Sequence, residues 1–147
     1  MADHRAEQVI AKVKTLVTGL TTTGARVDRG RGEPVAAELM PALRVYMGSD
    51  DVVDPWLPSV MDSEVEVFIE ALVHDVAANV ETTLNQIRKE VNIALAADFT
   101  LALAFVHAIV EIGAGRPQIS GELAKPAASM ELRYRVKYRR SRTDPSA

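Results

Sequence analysis

Met130-Glu-Leu-Arg-Tyr-Arg-Val-Lys-Tyr-Arg139 alternates without a break. In an extended chain Met130, Leu132, Tyr134, Val136 and Tyr138 fall on one side, and Glu131, Arg133, Arg135, Lys137 and Arg139 on the other, because strand side chains point to opposite faces with a period of two. The stretch therefore reads as a strand with an apolar side to bury and a basic side to present. A second run has the same period and the opposite charge. Val65, Val67, Ile69, Ala71 and Val73 alternate with Glu64, Glu66, Phe68, Glu70, Leu72 and His74. Such alternation belongs to a sheet with one face packed and one face largely wet.

Two helices supply the cover. Val9, Ile10, Val13, Leu16, Val17 and Leu20 recur at helical spacing after Asp3, a suitable N-cap, and Gly24 is the natural stop. Val80, Leu84, Ile87, Val91 and Leu95 form a second stripe within a helix expected over Asn79–Ala97. Shorter strands are expected over Ala25–Asp28, Ala42–Met47 and Phe105–Ile112, with a helical turn over Thr100–Ala104. Loops are expected over Arg29–Pro34 and Gly48–Pro58, and a loop or a floppy hairpin arm over Gly113–Ser129, from their Gly, Pro and Asp content. The order is helix, three strands, helix, two strands. It predicts an α+β two-layer sandwich, a mixed or antiparallel sheet of about five strands with two main helices on one face. One domain over 1–140 is expected. Residues 141–147 read as a flexible tail, having nothing to bury.

The chain has 147 residues, enough to bury roughly two-thirds of its unfolded surface. It has no cysteine, so disulfides and thiolate sites are excluded. Seventeen Lys and Arg against twenty Asp and Glu give a formal charge of −3, which does not favour a dedicated nucleic-acid binder. The first eight residues lack the apolar core of a secretion signal. Ile93–Ile112 is apolar and long, but Asp98 falls within it, and an acid near the middle of a span costs about 2.5–3.5 kcal/mol. It reads as a helix end followed by a buried strand, not a membrane segment.

No reaction motif is present. His4, His74 and His107 share no metal-ligand spacing, and His107 in an apolar strand reads as a satisfied core or interface histidine. Gly30-Arg-Gly32 does not continue into a phosphate-binding loop, and there is no Walker lysine or nucleophile elbow. Asp50, Asp51 and Asp54 lack the glycine and terminal glutamate of a calcium loop and read as a solvated turn. With no nucleophile–base pair, the chain reads as non-enzymatic and without a cofactor.

What remains is a set of surface candidates. Trp56, the only tryptophan, lies between Pro55 and Pro58. It either folds back over the core or anchors another subunit, since buried aromatics dominate interface hot spots. Glu64, Glu66 and Glu70 on one strand and Arg133, Arg135, Lys137 and Arg139 on the other share the open face if the strands share a sheet. They then form either a ladder of cross-strand ion pairs, each contributing about 0.2–1 kcal/mol, or a polar surface between neighbouring copies. The basic face carries no interleaved aromatics for stacking on nucleic acid.

The whole pattern resembles the tail-terminator family of long-tailed phages, the lambda minor tail protein U-like proteins. The resemblance spans nearly the whole chain. It rests on Gly19-Leu-Thr-Thr-Thr-Gly24 leading into Ala25-Arg-Val27, and on Glu38-Leu-Met-Pro-Ala-Leu-Arg-Val-Tyr46. The Glu64–Val73 strand, the Val80–Ala97 helix, and Gly121-Glu-Leu-Ala-Lys-Pro126 before the final strand follow in order. Pro55-Trp-Leu-Pro58 and the apolar Phe99–Val110 segment depart from the family pattern. The resemblance implies a virion protein at the head–tail junction, formed in the host cytoplasm. It implies a ring, usually of six copies, that caps the tail tube, stops its polymerisation and offers a surface for head attachment. Its expected partners are its own copies, the major tail tube protein and a head–tail connector or completion protein, with no sequence-specific nucleic acid and no membrane. The alternatives are a neck or head-completion protein and a small-ligand-binding regulatory domain.

Overall fold

A computed structural model describes residues 2–30, 34–121 and 124–147. Met1, residues 31–33 of the expected Arg29–Pro34 loop, and residues 122–123 of the expected Gly113–Ser129 loop lie outside the described residues. The elements are α1 (Arg5–Val17), β1 (Val27–Arg29), a 3-10 turn (Ala37–Leu39), β2 (Ala42–Asp54), β3 (Val60–His74), α2 (Val80–Ala96), β4 (Val106–Ala114), β5 (Gln118–Ser120) and β6 (Ala127–Ser141). The sheet runs β1-β2-β3-β6-β4, and β5 also pairs with β6. β1 lies parallel to β2, and every other pairing is antiparallel. This is an α+β two-layer sandwich with a mixed, six-stranded sheet under two helices.

The alternation in β3 and β6 explains why these strands are central. Val65, Val67, Ile69, Ala71 and Val73 of β3, and Met130, Leu132, Tyr134, Val136 and Tyr138 of β6, are all buried. They meet Val9, Ile10, Val13 and Val17 of α1 and Leu84, Ile87, Val91 and Leu95 of α2 in one cluster. Each fully buried Val, Leu or Ile contributes about 1.5–3 kcal/mol, so the two helical stripes hold the layers together. Leu16 and Leu20, expected on the first stripe, are only partly buried at its margin.

Three local expectations need correction. The N-cap of α1 is His4, not Asp3: the His4 Nδ1 accepts from the Ala6 backbone N–H at 3.0 Å. The helix begins one residue later than a carboxylate cap would set it, and the ring nitrogen satisfies one of its orphan donors. The Gly48–Pro58 loop is mostly strand. β2 continues to Asp54 through register shifts between Met47 and Asp50 and between Val52 and Asp54, leaving a short connection over 55–59. Gly48 permits the first shift, since a Cβ there would lie 2.3 Å from Phe68 Cε2. Bulges let polar residues stay in a ladder that the sequence would otherwise break. Over Gly113–Ser129 the hairpin arm is the form observed: β5 pairs Gln118, Ile119 and Ser120 with Ser129, Ala128 and Ala127. Finally, β6 runs from Ala127 to Ser141, beyond both ends of the alternating run, because β3 pairs with it over its full length.

The turn after α2 places Leu101 and Ala102 at φ of 56° and 54°. Leu101 is nevertheless fully buried. Residues 142–147 are tied back: Arg5 N–H donates to the Pro145 carbonyl at 2.8 Å, and Arg142 N–H to Ser59 O at 3.1 Å.

Candidate functional site

The face of the sheet away from the helices collects seven of the eight sequence candidates. β3 and β6 are neighbours, with Asp62 opposite Arg139, Glu64 opposite Lys137, Glu66 opposite Arg135, Phe68 opposite Arg133 and Glu70 opposite Glu131. Arg135 lies between two acids, its Nε 3.7 Å from Glu64 and its Nη2 3.6 Å from Glu66. Glu70 is not held by β6, because Glu131 occupies the facing position; Arg44 of β2 reaches it at 3.1 Å. Arg133 pairs along its own strand with Glu131 at 3.1 Å, and Glu131 also accepts the Tyr46 hydroxyl. Tyr46 and Phe68 pack with ring centroids 5.3 Å apart, an apolar patch inside the charged lattice. Lys137 makes no ion pair among the described residues.

The strongest pair was not singled out from the sequence. Asp62, 6% exposed, accepts Arg139 Nε at 2.8 Å and Nη2 at 3.2 Å on its two oxygens. A fork-to-carboxylate arrangement adds geometric definition to charge. The Arg139 guanidinium holds the Asp62 carboxyl below the ordinary carboxylate value against the opposing effect of burial, and His107 adds to the lowering. Asp62 in turn raises the pKa of Arg139. His107 Nε2 lies 3.3 Å from Asp62 Oδ1, so this histidine is a half-exposed partner at the sheet surface. Asp62 shares the parity of Glu64 and Glu66, and Arg44 has the matching parity on β2. Those were the available signals: Asp62 falls just before the strand expected from Glu64, and Arg44, inside the expected Ala42–Met47 strand, gains its partner only from strand pairing.

Trp56 stands apart from this face. It is 89% exposed, which closes the fold-back reading. Its backbone is not loose. Trp56 N–H donates to Asp54 Oδ1 at 3.3 Å, and Arg142 Nη2 donates to the carbonyls of both neighbours, Pro55 and Leu57, the latter at 2.6 Å. The β2–β3 connection therefore presents a large apolar ring from a bonded scaffold. Asp50, Asp51 and Asp54 lie on the strand leading to it, opposite Val65, Glu64 and Asp62. They are strand residues, not the expected turn. Alternation separates Asp50, which accepts the Tyr138 hydroxyl at 2.6 Å, from Asp51, and the register shift before Asp54 puts Asp54 on the side of Asp51. No group of three or more potential metal ligands converges among the described residues. No helix there is long and apolar enough to cross a membrane.

These features define a helix-backed α+β domain with a charge-paired open face and an exposed, hydrogen-bonded tryptophan hairpin. No family model and no curated protein matches the chain. Among solved structures it is similar to a chain from the virion of a native gene transfer agent particle, at 17% identity over 92% of each chain. The TM-score is 0.40, too low to establish a common fold.

Proposed function

We propose that the protein is a structural component of a phage or prophage virion, a tail terminator that self-associates into a ring on the finished tail tube. In this role it stops addition of tube protein and provides the surface to which the head connector attaches. The observation that carries the reading is the open sheet face. Among the described residues it has no covering layer, and it is ordered mainly by ion pairs around one packed aromatic pair, Tyr46 and Phe68. Complementary charge of this kind sets partner register more than it sets affinity. Rings close when a heterologous contact repeats by rotation, so one face and one protruding hairpin on each copy suffice. The resemblance in sequence supports the tube-capping version of that assembly, with six copies the expected number.

Purified protein should form a discrete oligomer by light scattering and mass photometry, and should cap the ends of polymerised tail tube protein in electron micrographs. A protein that stays monomeric and leaves tube ends free to grow would remove this function. A cavity of about 630 Å³ beside β1 and the start of β2 favours a second reading, a small-ligand-binding domain. A monomer that is stabilised by a metabolite and ignores tail tubes would support it.

A further inference from the structure

The molecule carries a knob and a hole at opposite ends of one strand. Trp56 follows the C-terminal end of β2, and the cavity of about 630 Å³ lies at the N-terminal end, where Ala42 contributes to its wall. The two are roughly 40 Å apart at strand rise, so a chain cannot fill its own cavity. Val35 and Leu39 give the cavity an apolar floor, and Leu39 is exposed. Among the described residues, its charged lining is Arg26, Arg29, Arg44 and Asp28. Arg29 and Arg44 are paired with Glu7 and Glu70. The Arg26 guanidinium donates to two carbonyls, Pro41 at 2.7 Å and Thr22 at 3.3 Å, and has no carboxylate partner among the described residues. At the other end Asp50, Asp51 and Asp54 make no ion pair among the described residues.

Resting on the self-assembly reading above, we propose that Trp56 of one copy seats in the Arg26–Leu39 cavity of the next. The contact is head-to-tail. It covers an exposed indole with apolar floor and guanidinium planes, an arrangement aromatic rings favour. It also brings the aspartates of the hairpin stem toward Arg26, the lining guanidinium without a carboxylate partner among the described residues. The knob arrives already ordered by Asp54 and Arg142, which reduces the entropy lost on docking.

The single tryptophan makes the test direct. Its emission should shift to shorter wavelength as wild-type protein associates. Trp56→Ala lacks the knob, and Leu39→Glu blocks the hole; both sites are exposed, so both variants should stay folded. Each alone should associate at least about tenfold more weakly than wild type, as loss of a hot-spot residue implies. Mixed together, they should form a one-to-one dimer that cannot grow, with the Leu39→Glu chain's Trp56 shifted. Association of Trp56→Ala equal to wild type overturns the knob while leaving self-assembly intact. Two inactive variants that stay monomeric when mixed overturn the head-to-tail pairing. A wild-type chain that remains monomeric with a solvated tryptophan overturns both the contact and the assembly reading, and leaves the cavity to a small ligand.

Discussion

Asp62 and Arg139 face each other across adjacent strands and share two hydrogen bonds, of 2.8 and 3.2 Å. A carboxylate whose pKa is lowered on folding stabilises the native state above its unfolded pKa, and that contribution is lost as pH falls through the lower, native value. For Asp62 the loss therefore lies below the ordinary carboxylate value of 3.8. Asp62→Asn should melt at lower temperature than wild type at neutral pH, with the gap narrowing as the solution is made more acid than that value. Circular dichroism melts across a pH series measure it; a gap independent of pH would remove Asp62 from acid sensitivity.

Gly48 is the position where β2 cannot carry a side chain without displacing Phe68. Gly48→Ala should lower stability by about 1–3 kcal/mol, the usual cost of overpacking. Adding Phe68→Leu should return part of that loss, with a coupling of at least about 0.5 kcal/mol in a double-mutant cycle. Urea denaturation reads both numbers, and strict additivity would mean that the bulge relaxes without the ring.

Arg135 separates the two uses of the open face. Arg135→Glu alone places three acids together and should cost about 0.2–1 kcal/mol per pair lost. Combined with Glu66→Arg, the cross-strand pairing is restored but the charges shown outward are exchanged. The double variant should regain thermal stability and still fail to assemble normally in light scattering. Recovery of both properties would make the ladder purely internal.

Arg142 fastens the connection that carries Trp56. Arg142→Ala should change global stability by no more than about 0.5–1.5 kcal/mol, the net contribution of a hydrogen bond. Amide exchange at residues 56 and 57 should become faster, and association should weaken because the ring is no longer held in place. Unchanged exchange there would show that Asp54 orders the tip by itself.

Ala102 holds a positive φ of 54° at an exposed position. Ala102→Gly should relieve that strain and stabilise the fold by up to about 1 kcal/mol, after the larger unfolded-state entropy of glycine is subtracted. A fall in melting temperature would show that the left-handed turn costs little here.

The helical stripes of α1 and α2 and the alternation of β3 and β6 were legible in the sequence because they are local periodicities imposed by burial. The extension of β2 and the register of β5 were not. Asp50 and Asp51 look like turn residues, and they enter a strand because the bulge at 48–49 lets them pair with Val65 and Glu64 of β3, where both sides of β2 are exposed. Gln118–Ser120 joins the sheet only because the start of β6 offers it a free edge. Asp62 and Arg44 were missed for the same reason: each gains its role from a neighbouring strand.

By itself the sequence determined which side of β3 and of β6 would be dry and which charged, since a period of two depends only on the chain's own geometry. It also settled that two amphipathic helices would cover the dry side. Tertiary structure alone decided which charges meet. Glu70 turns to Arg44 because register puts Glu131 across from it, and Asp62 captures Arg139 because β3 and β6 run together to their ends. It also decided that Trp56 stands in solvent. Strand order, register and hairpin length follow from contacts between residues far apart in the chain, and no local pattern encodes them.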